Sequence, residues 1–135
     1  MGASGIIYRQ LTILNKQIKL QQYADYTKRY QEIVLNFPES INDPDFKFGK
    51  RGTDKYDKTM RYMRSYFDLC FEEWDLNDRN LIDNKTWEVW RGGIQTAMKK
   101  SAFRQAWTIA MNTGTDYKQS EFQNFIGVFV SQKNE

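Results

Sequence analysis

Histidine is absent from this chain of 135 residues, and cysteine occurs only once, as Cys70. Without histidine, the chain has no Ser–His or Cys–His catalytic pair and lacks a common zinc ligand. A single cysteine excludes an internal disulfide, which fits a reducing compartment. Because no histidine can activate its thiol, Cys70 is predicted to be a small buried core residue. The sequence therefore predicts a protein that is not an enzyme and has no metal site and no cofactor.

Long apolar runs and a strong net charge are also missing. No run of about 18 apolar residues occurs, so this chain is not predicted to span a membrane by itself. The net charge is only +3, with an acidic excess in residues 61–90 and a basic excess on either side. This charge does not favour binding to duplex DNA, but it permits a local basic pocket.

Proline is rare as well, and Pro38 and Pro44 both fall within one connection. Apolar residues at helical spacing fill most of the rest, so the predicted fold is all-α. It has about five helices in a compact bundle, with a long first helix over residues 6–36 and a loop over residues 37–52. The later helices are predicted to begin at capping residues: Thr53 or Asp54, Asp83, Ser101, and Ser120 with Gln123 in a capping box.

Glycine residues mark further boundaries and one irregular place. Gly49 and Gly52 loosen the loop, and Gly114 is predicted to end the fourth helix. Gly92 and Gly93 lie inside the third helix, where each costs roughly 1 kcal/mol relative to alanine. The pair therefore predicts the close approach of a neighbouring backbone or of a ligand.

The first helix carries two apolar stripes. The first stripe consists of Ile7, Leu11, Leu14 and Ile18, and the second of Tyr23, Tyr30, Ile33, Val34 and Phe37. At about 100° per residue, the second stripe is rotated by roughly 120° from the first. The second half is therefore predicted to pack on its own domain, and the first stripe to form an oligomeric stalk. No good cap precedes Ile6, so residues 1–5 are interpreted as an expression scar or trimmed end, and the helix is expected to continue upstream.

All four tryptophans lie between Arg61 and Trp107. Tryptophan at helical spacing is typical of a core, so most or all of them are predicted to be buried. The alternative is a surface on which a nucleobase stacks, with Tyr62 or Trp90 as the stacking residue.

Basic residues beside this segment are the candidates for a phosphate site. They are Lys50, Arg51, Arg61, Arg64, Lys99, Lys100 and Arg104. The last three bracket the predicted start of the fourth helix, whose free N–H groups favour an anion. Solvated surface charge is the simpler alternative. The acidic run of Asp68, Glu72, Glu73, Asp75 and Asp78 is interpreted as a salt-bridged surface, in which Arg64 can neutralise Asp68 one turn away.

Residues 61 to about 125 resemble the shared part of small uncharacterised bacterial proteins. The matching motifs are RSYFDLCFEEW, LIDNKTWEVW, AFRQAW and the helix with Phe122 and Phe125. The resemblance implies a helical cytoplasmic domain, here residues 37–135, joined through residues 6–36 to a membrane-spanning segment that this chain lacks. A more distant similarity, to membrane-anchored ancillary effectors of type III CRISPR systems, implies a cyclic oligoadenylate as the ligand.

Three hypotheses follow. The first is a ligand-sensing domain of an antiviral defence effector at the cytoplasmic side of the bacterial inner membrane. It would bind a cyclic oligonucleotide second messenger as a symmetric homo-oligomer and relay the signal to the membrane segment. The alternative is a non-catalytic oligomerisation or protein-interaction module of a membrane-anchored protein. The least favoured is a metal-dependent nuclease that uses Asp68, Glu72 and Asp75.

Overall fold

The computed structural model describes residues 2–113 and 120–132, and the secondary structure of these residues consists of helices, with no strand. The helices are α1 (Ala3–Leu35), α2 (Asp54–Asp78), α3 (Asn84–Met98), α4 (Ser101–Asn112) and α5 (Ser120–Ser131), with a short 3-10 helix over Glu39–Asn42. The prediction of an all-α fold with about five helices and a long first helix is confirmed. Among the described residues, no helix is both long enough and apolar enough to cross a membrane.

Helix α2 is the centre of the bundle and contacts α1, α3 and α4. It begins as predicted, because the side chain of Thr53 accepts a hydrogen bond of 3.3 Å from the backbone N–H of Tyr56. Its apolar stripe is buried along most of its length, and Met63, Phe67 and Cys70 are fully enclosed. The prediction that Cys70 belongs to the core is therefore confirmed.

Helix α3 begins after Asp83, whose carboxylate accepts a 2.7 Å hydrogen bond from the backbone N–H of Thr86. This bond lowers the pKa of Asp83, because it favours the charged carboxylate. The predicted face of Trp87, Trp90, Ile94 and Met98 is buried. One of the two alternatives predicted for Gly92 and Gly93, the close approach of a neighbouring backbone, is wrong: among the described residues, no atom outside the helix lies within 4 Å of where a Cβ would stand at either position. The other alternative, a ligand, stays a prediction.

Helix α4 begins at Ser101, but Ser101 is not its capping residue. The N-cap position belongs to Lys100, whose side chain makes no capping bond. The hydroxyl of Ser101 instead accepts a 3.0 Å hydrogen bond from Nε2 of Gln105, which lies one turn further along α4. The predicted inward face is confirmed, since Phe103 and Trp107 are buried together with three alanines.

Helix α5 covers one side of the bundle and contacts α3. Phe122, Ile126 and Phe129 are buried, and Phe125 packs beside them, as the apolar pattern predicts. The predicted end of α4 at Gly114 lies outside the described residues. The predicted capping box of Ser120 with Gln123 depends on the side chain of Ser120, which lies outside the described part of the chain.

The connection between α1 and α2 contributes to the core, which its sequence does not indicate. Ile41, Phe46 and Phe48 are each no more than 6% exposed. The rings of Phe46 and Phe48 meet edge to face at 5.0 Å, and the backbone carbonyl of Phe46 accepts a 2.8 Å hydrogen bond from Gln105 of α4. Gly49, with φ of 79°, takes the left-handed conformation that lets the chain leave this cluster.

Helix α1 has two halves with different surroundings, and they have the boundaries that the two stripes predict. From Ala3 to Leu20 nearly every side chain is exposed. From Tyr23 onward the helix packs on the bundle, where Ile33 is buried and Tyr26 lies against the core. We call residues 3–20 the projecting half and residues 23–35 the docked half.

Candidate functional site

Three of the predicted phosphate-binding residues lie around one pocket, which we call the basic pocket. Arg51 from the loop and Arg61 and Arg64 from α2 line a cavity of about 280 Å³, together with Thr113 at the end of α4. Nη2 of Arg64 donates a 2.6 Å hydrogen bond to the hydroxyl of Thr113, which orients this guanidinium. Lys50 is exposed immediately before Arg51.

One carboxylate lines the basic pocket among the described residues. It belongs to Asp57, whose Oδ1 accepts a 3.3 Å hydrogen bond from the backbone N–H of Gly52. This bond holds Gly52, with φ of 92°, in the left-handed turn that precedes α2. The pocket therefore has a cationic excess, and its acidic member has a structural role in the turn.

The other three basic candidates lie at the junction of α3 and α4, away from the basic pocket. Nη1 of Arg104 donates to the backbone carbonyl of Lys99 and, at 3.4 Å, to that of Met98. Nζ of Lys100 donates a 2.7 Å hydrogen bond to Oδ1 of Asn42. Arg104 thus satisfies carbonyl groups that the end of α3 leaves unpaired, and Lys100 holds the 3-10 helix against α4.

The two predicted stacking residues are separated from each other and from the basic pocket. Tyr62 is partly buried and lines a shallow cavity between α1 and α2 with Arg29 and Asp68. Trp90 is 7% exposed and lies under Tyr23 and Tyr26 of the docked half, with ring centroids 6.3 and 5.0 Å away. The structure therefore does not bring a predicted stacking ring and the predicted phosphate residues to one place.

The four stalk residues Ile7, Leu11, Leu14 and Ile18 are each 49–56% exposed. Nothing among the described residues covers them, so this stripe is available on the surface of the chain. Ile6, Tyr8, Ile13 and Leu20, on other faces of the same segment, are also exposed.

Two members of the acidic run form ion pairs, as a salt-bridged surface requires, but neither is the pair of Arg64 with Asp68 that the sequence predicts. Glu72 pairs with Arg29 of α1 through two bonds of 2.5 and 3.3 Å, and Asp75 pairs with Arg79 at 3.0 Å. Among the described residues, no group of three or more acidic or cysteine side chains is placed to hold a metal ion. The carboxylates thus connect neighbouring turns and helices.

Glu73 differs from its acidic neighbours because it is buried. It is 8% exposed, and burial raises the pKa of its carboxyl group to about 8, despite the opposing field of Arg29. It lines a pocket of about 280 Å³ between α1, α2 and α3. The principal side chains of this pocket, which we call the tyrosine pocket, are Tyr23, Tyr26, Tyr30, Tyr66, Glu73 and Trp90.

Burial also acts on the phenol groups of the tyrosine pocket. It raises the pKa of Tyr26, and it raises that of Tyr66 well above its usual value, with Cys70 and Glu73 as further causes. Both phenols therefore stay neutral near pH 8. A signal for this pocket exists in the sequence, since Tyr23, Tyr26 and Tyr30 recur at helical spacing on one face of α1.

No protein-family model matches this chain, and comparisons with curated proteins and with solved structures give no match either. The resemblances described from the motifs therefore stay predictions.

Proposed function

We propose that this chain is a non-catalytic sensor domain that binds a phosphate-bearing ligand in the basic pocket and relays its presence along α1. The observation that carries this proposal is the convergence of Arg51, Arg61 and Arg64 on one cavity. Guanidinium groups bind phosphate oxygens through paired, charge-assisted hydrogen bonds, so three of them around one cavity suit a nucleotide.

The relay to α1 is supported by the position of α2. Arg61 and Arg64 belong to α2, and the same helix holds the docked half of α1 through the paired bonds between Arg29 and Glu72. A ligand that shifts the first turns of α2 would therefore act on α1 through a rigid element. The projecting half lies at the far end of that path.

The proposed location is the cytoplasmic side of a bacterial membrane. Before Asp25, the chain contains three basic residues, Arg9, Lys16 and Lys19, and no acidic residue. A segment of this charge is attracted to the anionic lipids of the cytoplasmic leaflet. Its exposed apolar side chains are consistent with a position next to the membrane segment that the motif resemblance implies.

Cyclic oligoadenylate is the proposed ligand, read by a symmetric homo-oligomer in which each subunit contributes one basic pocket. Titration calorimetry with cyclic tri-, tetra- and hexa-adenylate tests this proposal. We expect binding at micromolar protein and a loss of at least about tenfold in affinity when Arg51→Gln and Arg61→Gln are combined, since a hydrogen bond to a charged group contributes about 1.5–3 kcal/mol.

The matched control combines Lys28→Gln and Lys85→Gln, which remove the same charge from exposed positions outside the basic pocket. An equal loss of affinity in the control would show that net charge, and not the pocket, holds the ligand. The absence of heat with all three cyclic oligoadenylates would remove this ligand from consideration.

A second candidate function is supported by the exposed stripe of the projecting half. Its 4-3-4 spacing is that of a coiled-coil seam, so we propose a second copy of the chain as its partner. In light scattering, the Leu11→Asp, Leu14→Asp variant is expected to be monomeric at concentrations where the parent chain is an oligomer. The Thr12→Asp, Lys16→Gln variant changes the charge equally away from the stripe and should keep the parent mass. Retained assembly of the first variant would rule out the stalk.

A further inference from the structure

The tyrosine pocket is a separate feature from the basic pocket, and no part of the proposed function uses it. It lies where the docked half of α1 crosses α2 and α3. Its most buried members are Tyr66, Glu73 and Trp90, each less than 9% exposed, whereas Tyr23 and Tyr30 are 39% and 48% exposed. The pocket thus has an accessible aromatic mouth and an enclosed inner end.

Aromatic rings form most of its wall. The ring of Trp90 lies nearly parallel to that of Tyr23, with an interplanar angle of 16°, and the ring of Tyr26 is 5.0 Å from it. The rings of Tyr30 and Tyr66 are 6.3 Å apart. The faces of such rings carry a negative electrostatic potential, which attracts cations and repels anions.

The inner end of the pocket contains a carboxyl group without a hydrogen-bond partner among the described residues. Glu73 is more than nine-tenths buried, and it takes part in no hydrogen bond or ion pair within 2–113 and 120–132. The positive charge of Arg29 acts on Glu73, but its guanidinium is held by Glu72 through two bonds. No fully buried side-chain nitrogen or oxygen of the described residues lacks a hydrogen-bond partner, so the oxygens of Glu73 keep some contact with solvent, and an occupant of the pocket can reach them.

The charged side chain that lines the tyrosine pocket is negative, like the electrostatic potential of the ring faces. Of the described residues that line it, none is cationic, and Glu73 is the single acid. Tyr26 already carries one cation on its ring, because the guanidinium of Arg29 lies 5.2 Å from the ring centroid. The wall and the inner end therefore both favour a positively charged occupant.

We propose that the tyrosine pocket binds a small methylated ammonium ion, with the cation against the rings of Tyr23, Tyr26 and Trp90 and opposite the carboxylate of Glu73. A cavity of about 280 Å³ holds a group of the size of choline. A methylated ammonium ion is less strongly hydrated than a primary one and needs no hydrogen-bond acceptors of its own. It therefore suits a wall of rings with a single carboxylate.

Choline tests the proposal directly, with 3,3-dimethyl-1-butanol as its neutral carbon isostere. Both are titrated into the full chain at constant ionic strength, and binding is followed by calorimetry and by saturation-transfer NMR. Choline is expected to bind at least about tenfold more tightly than the isostere, because the cation–ring and cation–carboxylate attractions are lost with the charge. Equal binding of the two, or binding of neither, would overturn the proposal.

Variants assign the binding to this pocket. At pH 8.5, where most of the carboxyl group is ionised, Glu73→Gln keeps the shape of the side chain and is expected to weaken choline binding by about tenfold, and Tyr23→Leu at the accessible mouth should also weaken it. Glu88→Gln is the matched control, since Glu88 is exposed on α3 two residues before Trp90 and does not line the pocket. Circular dichroism verifies that each variant is folded. If Glu88→Gln and Glu73→Gln had the same effect, the site would lie elsewhere.

Ethanolamine separates methylated from primary ammonium ions. It carries the same charge and hydroxyl group as choline but is more strongly hydrated, so we expect it to bind more weakly. Binding of ethanolamine as tight as that of choline would overturn the assignment to a methylated ion.

The pH dependence of binding gives a readout that is specific to Glu73. Its pKa of about 8 in the empty pocket means that a cation must displace a proton at neutral pH. The affinity for choline is thus expected to rise by about tenfold between pH 6.5 and 8.5 and to be flat in Glu73→Gln. The other groups facing Glu73 are Tyr26 and Arg29 from α1, and Tyr66, Cys70 and Glu72 from α2, where Glu72 is ion-paired with Arg29. The pKa values of Tyr26, Arg29, Tyr66 and Cys70 are raised, so these four groups keep their charge in this range. Parallel pH profiles for the two proteins would contradict the role of Glu73.

Discussion

The two halves of α1 differ in burial although both are rich in apolar residues. In the projecting half, Leu11 and Leu14 are about half exposed, and in the docked half, Ile33 is 8% exposed. The helix continues between the two halves without a break. Burial along α1 is therefore decided by which elements lie beside each turn. The docked half has α2 and α3 beside it, and the projecting half has no neighbour among the described residues.

The docked half stabilises the fold, but it also covers an acid. Because the pKa of Glu73 is raised from 4.5 to about 8, the folded chain keeps a proton there that the unfolded chain loses above pH 4.5. The contribution of Glu73 to the free energy of unfolding is therefore expected to be most favourable below pH 4.5. It is expected to fall as the pH rises toward 8. The expected loss between pH 5 and pH 8 is about 4 kcal/mol.

Urea denaturation of the parent chain and of Glu73→Gln across this pH range measures that effect. In the parent, the free energy of unfolding should fall as the pH rises. Glu73→Gln should lack this pH dependence, because glutamine has no proton to lose. Arg9→Gln is the control, because it lies in the projecting half, which has no buried acid. It should leave the pH dependence of the free energy of unfolding as it is in the parent. The same slope in Glu73→Gln and in the parent would show that burial of Glu73 is not its cause.

A pair of truncations tests the difference in burial between the halves. Ile33→Ala in the docked half is expected to lower the free energy of unfolding by about 3 kcal/mol, because it leaves a cavity against α2. Leu14→Ala in the projecting half, measured on the monomer at low concentration, is expected to change it by less than about 0.5 kcal/mol.

Denaturant titration of both variants gives the comparison. Similar destabilisation by the two substitutions would mean that the projecting half is packed against something in the folded monomer, contrary to the exposure of its stripe. A small effect at Ile33 would mean that the docked half is only loosely held.

Features that depend on local sequence could be predicted, and features that depend on distant contacts could not. The stripe of α2 and the caps at Thr53 and Asp83 follow from spacing and residue type within a few positions. Phe46 and Phe48 lie in a connection without periodicity, so no sequence pattern indicates that they are buried.

The candidate sites show the same division. The place of Arg104 near a helix start predicts an anion site, yet its guanidinium donates to the carbonyls at the end of α3. In the sequence, Glu73 is one member of an acidic run that is predicted to lie on the surface. It differs from its neighbours because it is buried, and this burial depends on the docked half of α1, which is distant in sequence. Arg51 and Arg61 are brought together because the loop turns directly into α2.

The unbroken course of α1 gives the molecule a mechanical property. At about 1.5 Å per residue, the projecting half extends roughly 27 Å beyond the part of the helix that is held by the bundle. A rotation of the docked half by about 10° would therefore displace the tip of α1 by roughly 5 Å. The same docked half covers the tyrosine pocket and is joined to α2 by Arg29 and Glu72. A small rotation of α1 beside Glu73 would therefore become a large displacement at the far end of the helix.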